Sequence, residues 1–138
     1  MPLTIGFALA LSAALSTPAA PEPAAVPAQA QTVQEYVAEY FADAPIMVSI
    51  AKCESHFRQY DRNGAVYRGV VNNKDVGVMQ VNEYYHAEAA KKLNLNLWTL
   101  EGNTAYARYL YEKEGTTPWL SSSACWNKSK HIELARAR

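Results

Sequence analysis

The amino-acid composition changes near residue 30, and this change limits how much of the chain can fold. Residues 1–30 contain ten alanines and five of the seven prolines but a single charged side chain, Glu22, whereas all nine tyrosines come later. A folded domain is therefore expected over residues 31–126, followed by a polar tail at 127–138. A domain of this size buries one modest hydrophobic core.

The first 30 residues are typical of an export signal. Leu3–Leu15 is an uncharged apolar run, shorter than the ~20 residues of a membrane span, and it suits the hydrophobic region of a secretory signal. Ala28-Gln29-Ala30 supplies the small residues of a cleavage site, although no lysine or arginine precedes the run. We expect a signal peptide or an Ala/Pro-rich leader over residues 1–30, and a secreted or cell-envelope protein with no stable membrane insertion after processing. The alternative is a leader without a targeting role.

The chain contains two cysteines, Cys53 and Cys125. In an exported chain such a pair is expected to form a disulfide, and two buried free thiols are the alternative. Closing a loop of this length stabilises a fold by roughly 4 kcal/mol in the chain-entropy model. Two cysteines alone make a poor zinc site, so neither a metal nor a cofactor is expected.

Positive and negative charges balance, with 13 lysines and arginines against 13 aspartates and glutamates. A formal net charge of zero argues against nucleic-acid binding through a broad basic surface. Hydrophobic residues make up 49% of the chain, which is enough for a packed core. A monomeric globular protein is expected.

Hydrophobic spacing predicts two helices before residue 56. Thr32 and Glu35 have the spacing of a capping box, and apolar residues follow at helical intervals. Asp43-Ala44-Pro45 is expected to end the first helix and to start the second, with a cap and an early proline. Glu54 lies at the C-terminal end of the second helix, on its apolar side. The helix dipole and apolar neighbours both raise the pKa of a carboxylic acid in that position.

The middle of the chain changes pattern. Residues 65–71 form a β-prone run between two turn signals, which predicts a small β-hairpin between the second helix and the segment Gly77-Val78-Met79-Gln80. Helices are expected again over residues 82–92 and 99–115, and residues 118–126 are expected to form a loop. The predicted fold class is therefore α+β, predominantly α-helical.

Three short motifs follow one another along the chain. They are Glu54-Ser55-x-Phe57, Gly77-Val78-Met79-Gln80-Val81 and Asn103-Thr104-Ala105-Tyr106-Ala107. They resemble the motifs E-S-x-F, G-L-M-Q-I and N-I-x-x-G of the Slt-type lytic transglycosylases of the lysozyme-like superfamily, with alanine where the last glycine is usual. The resemblance covers residues 46–126. It implies a lysozyme-like fold and a peptidoglycan glycan substrate.

Two departures from this family concern the reaction. Slt-type enzymes usually have a Gly-Ala dipeptide before G-L-M-Q, whereas Asp75 stands there in this chain. The stretch from Asp75 to Asn82 is similar to the D-Y-G-I-L-Q-I-N of c-type lysozymes, whose leading aspartate is the second catalytic carboxylate. The A-Y-N motif is absent, and Pro118–Trp126 is similar to the ending of small secreted lysozyme-like bacterial proteins.

The resemblance implies two alternative reactions at one acid. Glu54 donates a proton to the leaving oxygen. If Asp75 is a turn residue, Glu54 then accepts a proton from the 6-hydroxyl of the substrate, which gives a 1,6-anhydro product. If Asp75 reaches the opposite face of the sugar, hydrolysis with retention follows.

The resemblance also implies a sugar-binding groove. Several of the residues expected in it have an alternative role in the structure. The candidate substrate-binding residues are Ser55, Gly77, Met79, Gln80, Asn82 and Tyr106. Gln80 and Asn82 are alternatively partners for backbone groups, Ser55 is alternatively a support for Glu54, and Tyr106 is alternatively a core residue. Four other aromatic residues are expected mainly in packing, with sugar stacking as the alternative: Tyr84, Tyr85, Trp119 and Trp126. Both His56 and His86 are expected as surface or capping residues.

These observations predict a secreted peptidoglycan-cleaving enzyme. The expected reaction is lytic transglycosylation of the β-1,4 bond between N-acetylmuramic acid and N-acetylglucosamine. A retaining muramidase that uses Glu54 and Asp75 is the first alternative. A cell-wall glycan-binding module without turnover is the second, and a part of a secretion or conjugation apparatus is the third.

Overall fold

The computed structural model describes residues 30–128, so the predicted signal peptide and most of the predicted polar tail lie outside the described part. Helices and one small antiparallel sheet form this part of the chain. The predicted fold class, α+β and predominantly α-helical, is confirmed. No helix within residues 30–128 is long and apolar enough to cross a membrane.

Local sequence signals determine the first helix, α1 (Val33–Tyr40). The predicted capping box is present. The Thr32 hydroxyl accepts a hydrogen bond from the backbone N–H of Glu35 at 3.2 Å, and the Glu35 carboxylate accepts one from the N–H of Thr32 at 2.8 Å. The second helix, α2 (Pro45–Ser55), begins with the expected proline.

The predicted capping of α2 by Asp43 is wrong. Ala44 occupies the N-cap position, and no side chain caps the helix. The Asp43 carboxylate instead accepts two hydrogen bonds from the Arg108 guanidinium, at 2.8 and 3.1 Å, and Arg108 also donates to the carbonyl of Tyr40 at 2.7 Å. A bidentate, charge-assisted pair is stronger than a neutral cap, so the contact across the fold prevails over the local one.

The antiparallel sheet lies at a different place from the predicted hairpin. Strand β1 (Asp75–Val76) pairs with strand β2 (Val81–Asn82), with Asp75 opposite Asn82. Residues 77–80 therefore connect the two strands, instead of following a completed hairpin.

The β-prone run at residues 65–71 contributes only isolated bridges, between Tyr60 and Val66 and between Arg68 and Val76. The side chains of Val70 and Val71 are exposed. Of the three valines in this run only Val66 packs partly against the core, and β propensity with so little burial stabilises a strand poorly.

The two central helices follow their sequence signals. Helix α3 (Glu83–Lys92) is capped by Asn82, whose side-chain oxygen accepts from two backbone N–H groups in the first turn. Helix α4 (Leu100–Glu114) is capped by Thr99 and ends at Gly115, where φ is positive. Both predicted helices are confirmed.

The expectation of a loop at residues 118–126 is wrong. Thr117–Ser122 forms a 3-10 helix, and residues 123–128 are α-helical. Trp119 and Trp126 are 3% and 5% exposed, and each indole N–H donates to a backbone carbonyl. The high serine content of this segment suggests an irregular loop. The burial of the two indoles, with both N–H groups hydrogen-bonded, orders it instead.

A single core joins the helices to the sheet. Its members are buried apolar side chains from every element: Val37, Phe41, Met47, Ile50, Ala51, Val76, Val78, Met79, Val81, Ala90, Leu97, Tyr106, Ala107, Leu110, Trp119 and Trp126. A disulfide between Cys53 of α2 and Cys125 confirms the predicted pairing and links residues 72 positions apart. It attaches the C-terminal helical segment, residues 117–128, to the end of α2.

Candidate active site

A cavity of about 340 Å³ lies at the C-terminal end of α2. It brings together Glu54 from α2, Asp75 and Asn82 from the sheet, Gln80 from the strand connection and Ser121 from the 3-10 helix. The remaining lining is aromatic, apolar or titratable: Val81, Tyr85, His86, Leu110, Glu114, Pro118 and Trp119. The two carboxylic acids that the sequence singled out therefore line one cavity.

Glu54 has the environment of a proton donor. Its side chain is partly buried, and burial raises the pKa of its carboxyl above the ordinary value. A hydrogen bond from Ser122 opposes this rise, and the negative charge of Asp75 adds to it. A carboxyl whose pKa is raised in this way keeps its proton closer to neutral pH, as a general acid requires.

Ser122 can hydrogen-bond to Glu54 in both protonation states of this acid. Its hydroxyl lies 2.5 Å from Glu54 Oε1 and 3.1 Å from the carbonyl oxygen of Trp119. A serine hydroxyl has one proton to donate and two lone pairs to accept with. When Glu54 is ionised, Ser122 donates to the carboxylate. When Glu54 is protonated, Ser122 can accept from it and donate to the Trp119 carbonyl.

Removal of the Ser122 hydroxyl tests this arrangement through the pH dependence of the cleavage rate. In Ser122→Ala the carboxylate form of Glu54 loses a charge-assisted hydrogen bond, so the pKa of Glu54 rises further above its ordinary value. A general acid works when protonated. The alkaline limb of the pH–rate profile is therefore expected to move to higher pH, as measured by glycan cleavage across a pH series.

Ser123→Ala is the matched control, because Ser123 is the next residue and does not line the cavity. Its alkaline limb should coincide with that of the parent protein. Ser122→Thr keeps the hydroxyl and should restore the parent profile. An alkaline limb that stays in place in Ser122→Ala would show that this hydrogen bond does not set the pKa of Glu54.

Asp75 is held in position by its partner across the sheet. The Asn82 side-chain amide donates to Asp75 Oδ1 at 2.8 Å. The oxygen of the same amide accepts from the N–H groups of Tyr84 and Tyr85, at 3.1 and 3.4 Å. Asn82 thus connects the start of α3 to Asp75, and both of its predicted roles, groove residue and partner of backbone groups, are compatible with its place.

The connection at residues 77–80 is held by buried side chains from three parts of the fold. Gln59 accepts from the N–H of Val78 at 2.9 Å, and Asn103 accepts from the N–H of Met79 at 2.9 Å. The Ser55 hydroxyl donates to the carbonyl of Val78 at 2.8 Å. In residues 30–128 every buried side-chain nitrogen and oxygen has a hydrogen-bond partner, so this connection is rigid.

Gly77 allows these amides to approach. Its φ is +73°, and a Cβ at this position would clash with Asn103 Nδ2 and would lie 2.8 Å from Gln59 Oε1. Gly77→Ala therefore combines backbone strain with a steric clash, and we expect it to reduce the free energy of unfolding by about 3 kcal/mol. Urea denaturation followed by circular dichroism measures this loss.

Gly64 provides a control for the backbone contribution alone. Its φ is +80°, but a Cβ at this position would have no atom within 4 Å of it. Gly64→Ala should therefore cost only about 1 kcal/mol. Equal losses of unfolding free energy in Gly77→Ala and Gly64→Ala would show that the contacts around residue 77 do not contribute to stability.

The predicted site residues divide into two groups. Glu54, Asp75, Gln80 and Asn82 line the cavity. The others are buried beneath or beside it and do not line it: Ser55, Gly77, Met79 and Tyr106. The structure thus places the second group as supports for the strand connection or as core, and substrate contact by these residues stays a prediction.

Backbone strain accumulates next to the acid. His56 and Phe57, which follow α2 directly, have φ values of 54° and 60°, and Gln80 has a φ of 49°. Residues other than glycine rarely adopt positive φ, and such strain is typical of functional sites. It allows the chain to turn away immediately after Glu54, so that the acid stands at the cavity instead of inside a longer helix.

Sequence reasoning missed three contributors to this region. Ser122 lies within Pro118–Trp126, whose similarity to other proteins indicated no role for it, Gln59 carried no signal, and His86 was expected at the surface or at a cap. In the structure His86 is partly buried at the cavity, with Nδ1 3.1 Å from the Tyr106 hydroxyl, and burial lowers the pKa of its imidazole. The spacing of His86 from Asn82, one helical turn, is the signal that places both at the same cavity.

Comparison with known proteins identified no relative of this chain. A scan against protein-family models and searches of curated proteins and of solved structures found no match. Within residues 30–128, no group of three or more His, Cys, Asp or Glu side chains is arranged to hold a metal ion.

Proposed function

We propose that this protein cleaves the β-1,4 bond between N-acetylmuramic acid and N-acetylglucosamine in peptidoglycan, as a lytic transglycosylase that leaves 1,6-anhydro-muramyl ends. The observation that carries the proposal is Glu54: a partly buried carboxyl with a raised pKa, hydrogen-bonded to Ser122, in a cavity that it shares with Asp75. The three motifs that resemble the Slt-type family support the same substrate.

The proposed reaction uses one carboxyl group twice. Glu54 donates its proton to the glycosidic oxygen while the bond from that oxygen to C1 of the muramyl residue breaks. The resulting Glu54 carboxylate then accepts the proton of the muramyl 6-hydroxyl, and the 6-oxygen forms a bond to C1. The proton returns to Glu54 and no water is consumed. Ser122 can hydrogen-bond to Glu54 before and after each transfer.

Asp75 supports a second candidate, a retaining muramidase. Its carboxylate lines the cavity of Glu54, and its negative charge contributes to the raised pKa of that acid. Two carboxylates in one site, of which one has a raised pKa, are the pattern of retaining glycosidases. In this candidate Asp75 attacks or stabilises C1, and water completes the hydrolysis.

An extracytoplasmic location is part of the proposal. The Cys53–Cys125 disulfide suggests an oxidising environment, and the composition of residues 1–30 favours export. Peptidoglycan lies outside the cytoplasmic membrane, so the location and the substrate agree.

Product analysis tests the proposal. The purified chain is incubated with peptidoglycan, and the released fragments are identified by mass spectrometry. Anhydro-muramyl ends support lytic transglycosylation, and Asp75→Asn should then still produce them. Reducing ends, which are heavier by one water, support the muramidase, and Asp75→Asn should then abolish them. Wall binding without either product would overturn both and leave a binding module.

A further inference from the structure

A second, larger cavity is lined by other residues of α3. Its volume is about 760 Å³. It is formed by α3 and the loop at residues 94–98, and its lining includes Ala87, Asn94, Leu95 and Leu97. We call it the Trp98 groove, because the exposed indole of Trp98 is its largest side chain. Nothing in the proposed reaction uses it.

Trp98 is exposed but firmly held. Its side chain is 54% exposed. The Asn96 side chain accepts from its backbone N–H at 2.9 Å, Gln59 donates to its carbonyl at 3.1 Å, and its indole N–H donates to Glu83 at 3.0 Å. All the polar groups of Trp98 are therefore paired within the protein, while the apolar indole faces remain available.

Glu83 is itself fixed. Its carboxylate accepts from Arg68 at 2.6 Å, and this hydrogen bond is the main reason why the pKa of Glu83 lies below its ordinary value. Arg68 also donates to the carbonyl of Asn73 at 2.9 Å. The indole of Trp98 is thus oriented by a charged network and does not depend on a ligand for its position.

The Trp98 groove adjoins the cavity of Glu54. Glu83 and Tyr84 line the groove, whereas their neighbours Asn82 and Tyr85 line the cavity. The rings of Tyr84 and Tyr85 meet edge to face, with centroids 5.0 Å apart, and both side chains are about three-quarters exposed, at 75% and 74%. An exposed aromatic pair therefore joins the two places, with Tyr85 at the proposed cleavage site and Tyr84 in the groove that also contains Trp98.

The charges at the groove favour an anionic chain. Lys74 and Lys91 line it, and the single carboxylate in its lining, Glu83, is already paired with Arg68. Aromatic faces stack on the C–H faces of sugar rings, and asparagine amides hydrogen-bond to hydroxyl and N-acetyl groups. A chain of N-acetylated sugars that carries carboxylates matches all three features.

We propose that the Trp98 groove binds the peptidoglycan glycan strand beyond the cleavage site where its stem peptides have been removed, with sugar rings on Trp98 and with the freed lactyl carboxylates of the muramyl residues near the two lysines. This proposal rests on the proposed function, because the same strand must also enter the cavity of Glu54. The groove would hold long strands better than short fragments.

Tryptophan fluorescence of a non-cleaving variant tests the proposal. Trp119 and Trp126 are buried, at 3% and 5% exposure, so Trp98 dominates quenching by acrylamide. Full-length Glu54→Gln protein is titrated with peptide-free peptidoglycan glycan strands of defined length. Long strands should protect the fluorescence from quenching, and a single disaccharide should not. The protection should disappear when Trp98→Phe is added, because the remaining tryptophans are already buried.

Affinity measurements complete the test. Trp98→Ala should weaken binding of long strands about tenfold, as for a central aromatic contact, whereas Tyr60→Ala should bind as the parent does. Tyr60 is 45% exposed and lines neither the groove nor the cavity. Unchanged quenching, or unchanged affinity in Trp98→Ala, overturns the proposal. Cleavage by the parent protein is measured separately. If the parent cleaves the glycan but the fluorescence of Trp98 does not respond to it, the groove proposal is refuted and the proposed function is not.

Discussion

Replacement of Glu54 by glutamine is expected to reduce glycan cleavage about a thousandfold or more while the protein remains folded. Glutamine has nearly the same shape and can still accept a hydrogen bond from Ser122, but it has no proton to donate at neutral pH. General acid catalysis contributes a factor of about 10²–10⁴. In the proposed reaction Glu54 acts in both proton transfers, so the loss should lie in the upper part of that range.

The measurement is the initial rate of release of soluble muramyl fragments, with circular dichroism as the check on folding. Glu88→Gln is the matched control, since Glu88 is an exposed residue of α3 that lines neither cavity. It should retain the parent rate. If Glu54→Gln retains activity within a few fold, the acid lies elsewhere and the proposed mechanism fails.

Features of the fold that depend on neighbouring residues were predictable from the sequence. The capping box at Thr32 and the caps at Asn82 and Thr99 lie within three residues of the groups they bind. Their hydrogen bonds are local, so the same residues form them in any fold that contains these helices. The starts of α1, α3 and α4 followed from such signals.

The predictions failed where distant residues compete with local ones. Asp43 is a good cap by its type, but Arg108, 65 positions away, offers a bidentate ion pair. The run at residues 65–71 has β propensity, but the exposure of Val70 and Val71 leaves Val66 as its only valine that packs against the core. Contacts of this kind depend on the packed fold, and the spacing of residues along the chain does not reveal them.

The residues of the candidate site also divide into those that the sequence motifs predict and those that depend on the packed fold. Ser55, Gly77 and Asn103, which belong to the three motifs, hold the strand connection at residues 77–80 in place. The motifs therefore predict the scaffold better than they predict the reaction. The groups that would decide the chemistry are Glu54, the hydroxyl of Ser122 and the carboxylate of Asp75. The role of the serine depends on the packing of the C-terminal segment against α2, 68 positions from Glu54 along the chain.

Loss of the disulfide is expected to reduce the free energy of unfolding by about 4 kcal/mol, because the bridge closes a long loop in the unfolded chain. It joins residues 72 positions apart. Domains of this size are stable by about 5–15 kcal/mol, so a large share of the stability depends on one bond. The residues described have no free cysteine, which leaves the bridge as the only described target of a reducing agent.

The disulfide should also affect catalysis, because its two ends flank the Ser122–Glu54 hydrogen bond. Cys53 directly precedes Glu54, and Cys125 lies three residues after Ser122. Denaturation midpoints and cleavage rates should therefore fall together in dithiothreitol, and the Cys53→Ala/Cys125→Ala variant should show both losses without the reductant. Adding dithiothreitol to that variant should change nothing further. A parent protein with the same midpoint and rate in reductant would mean that the core alone keeps residues 117–128 against α2.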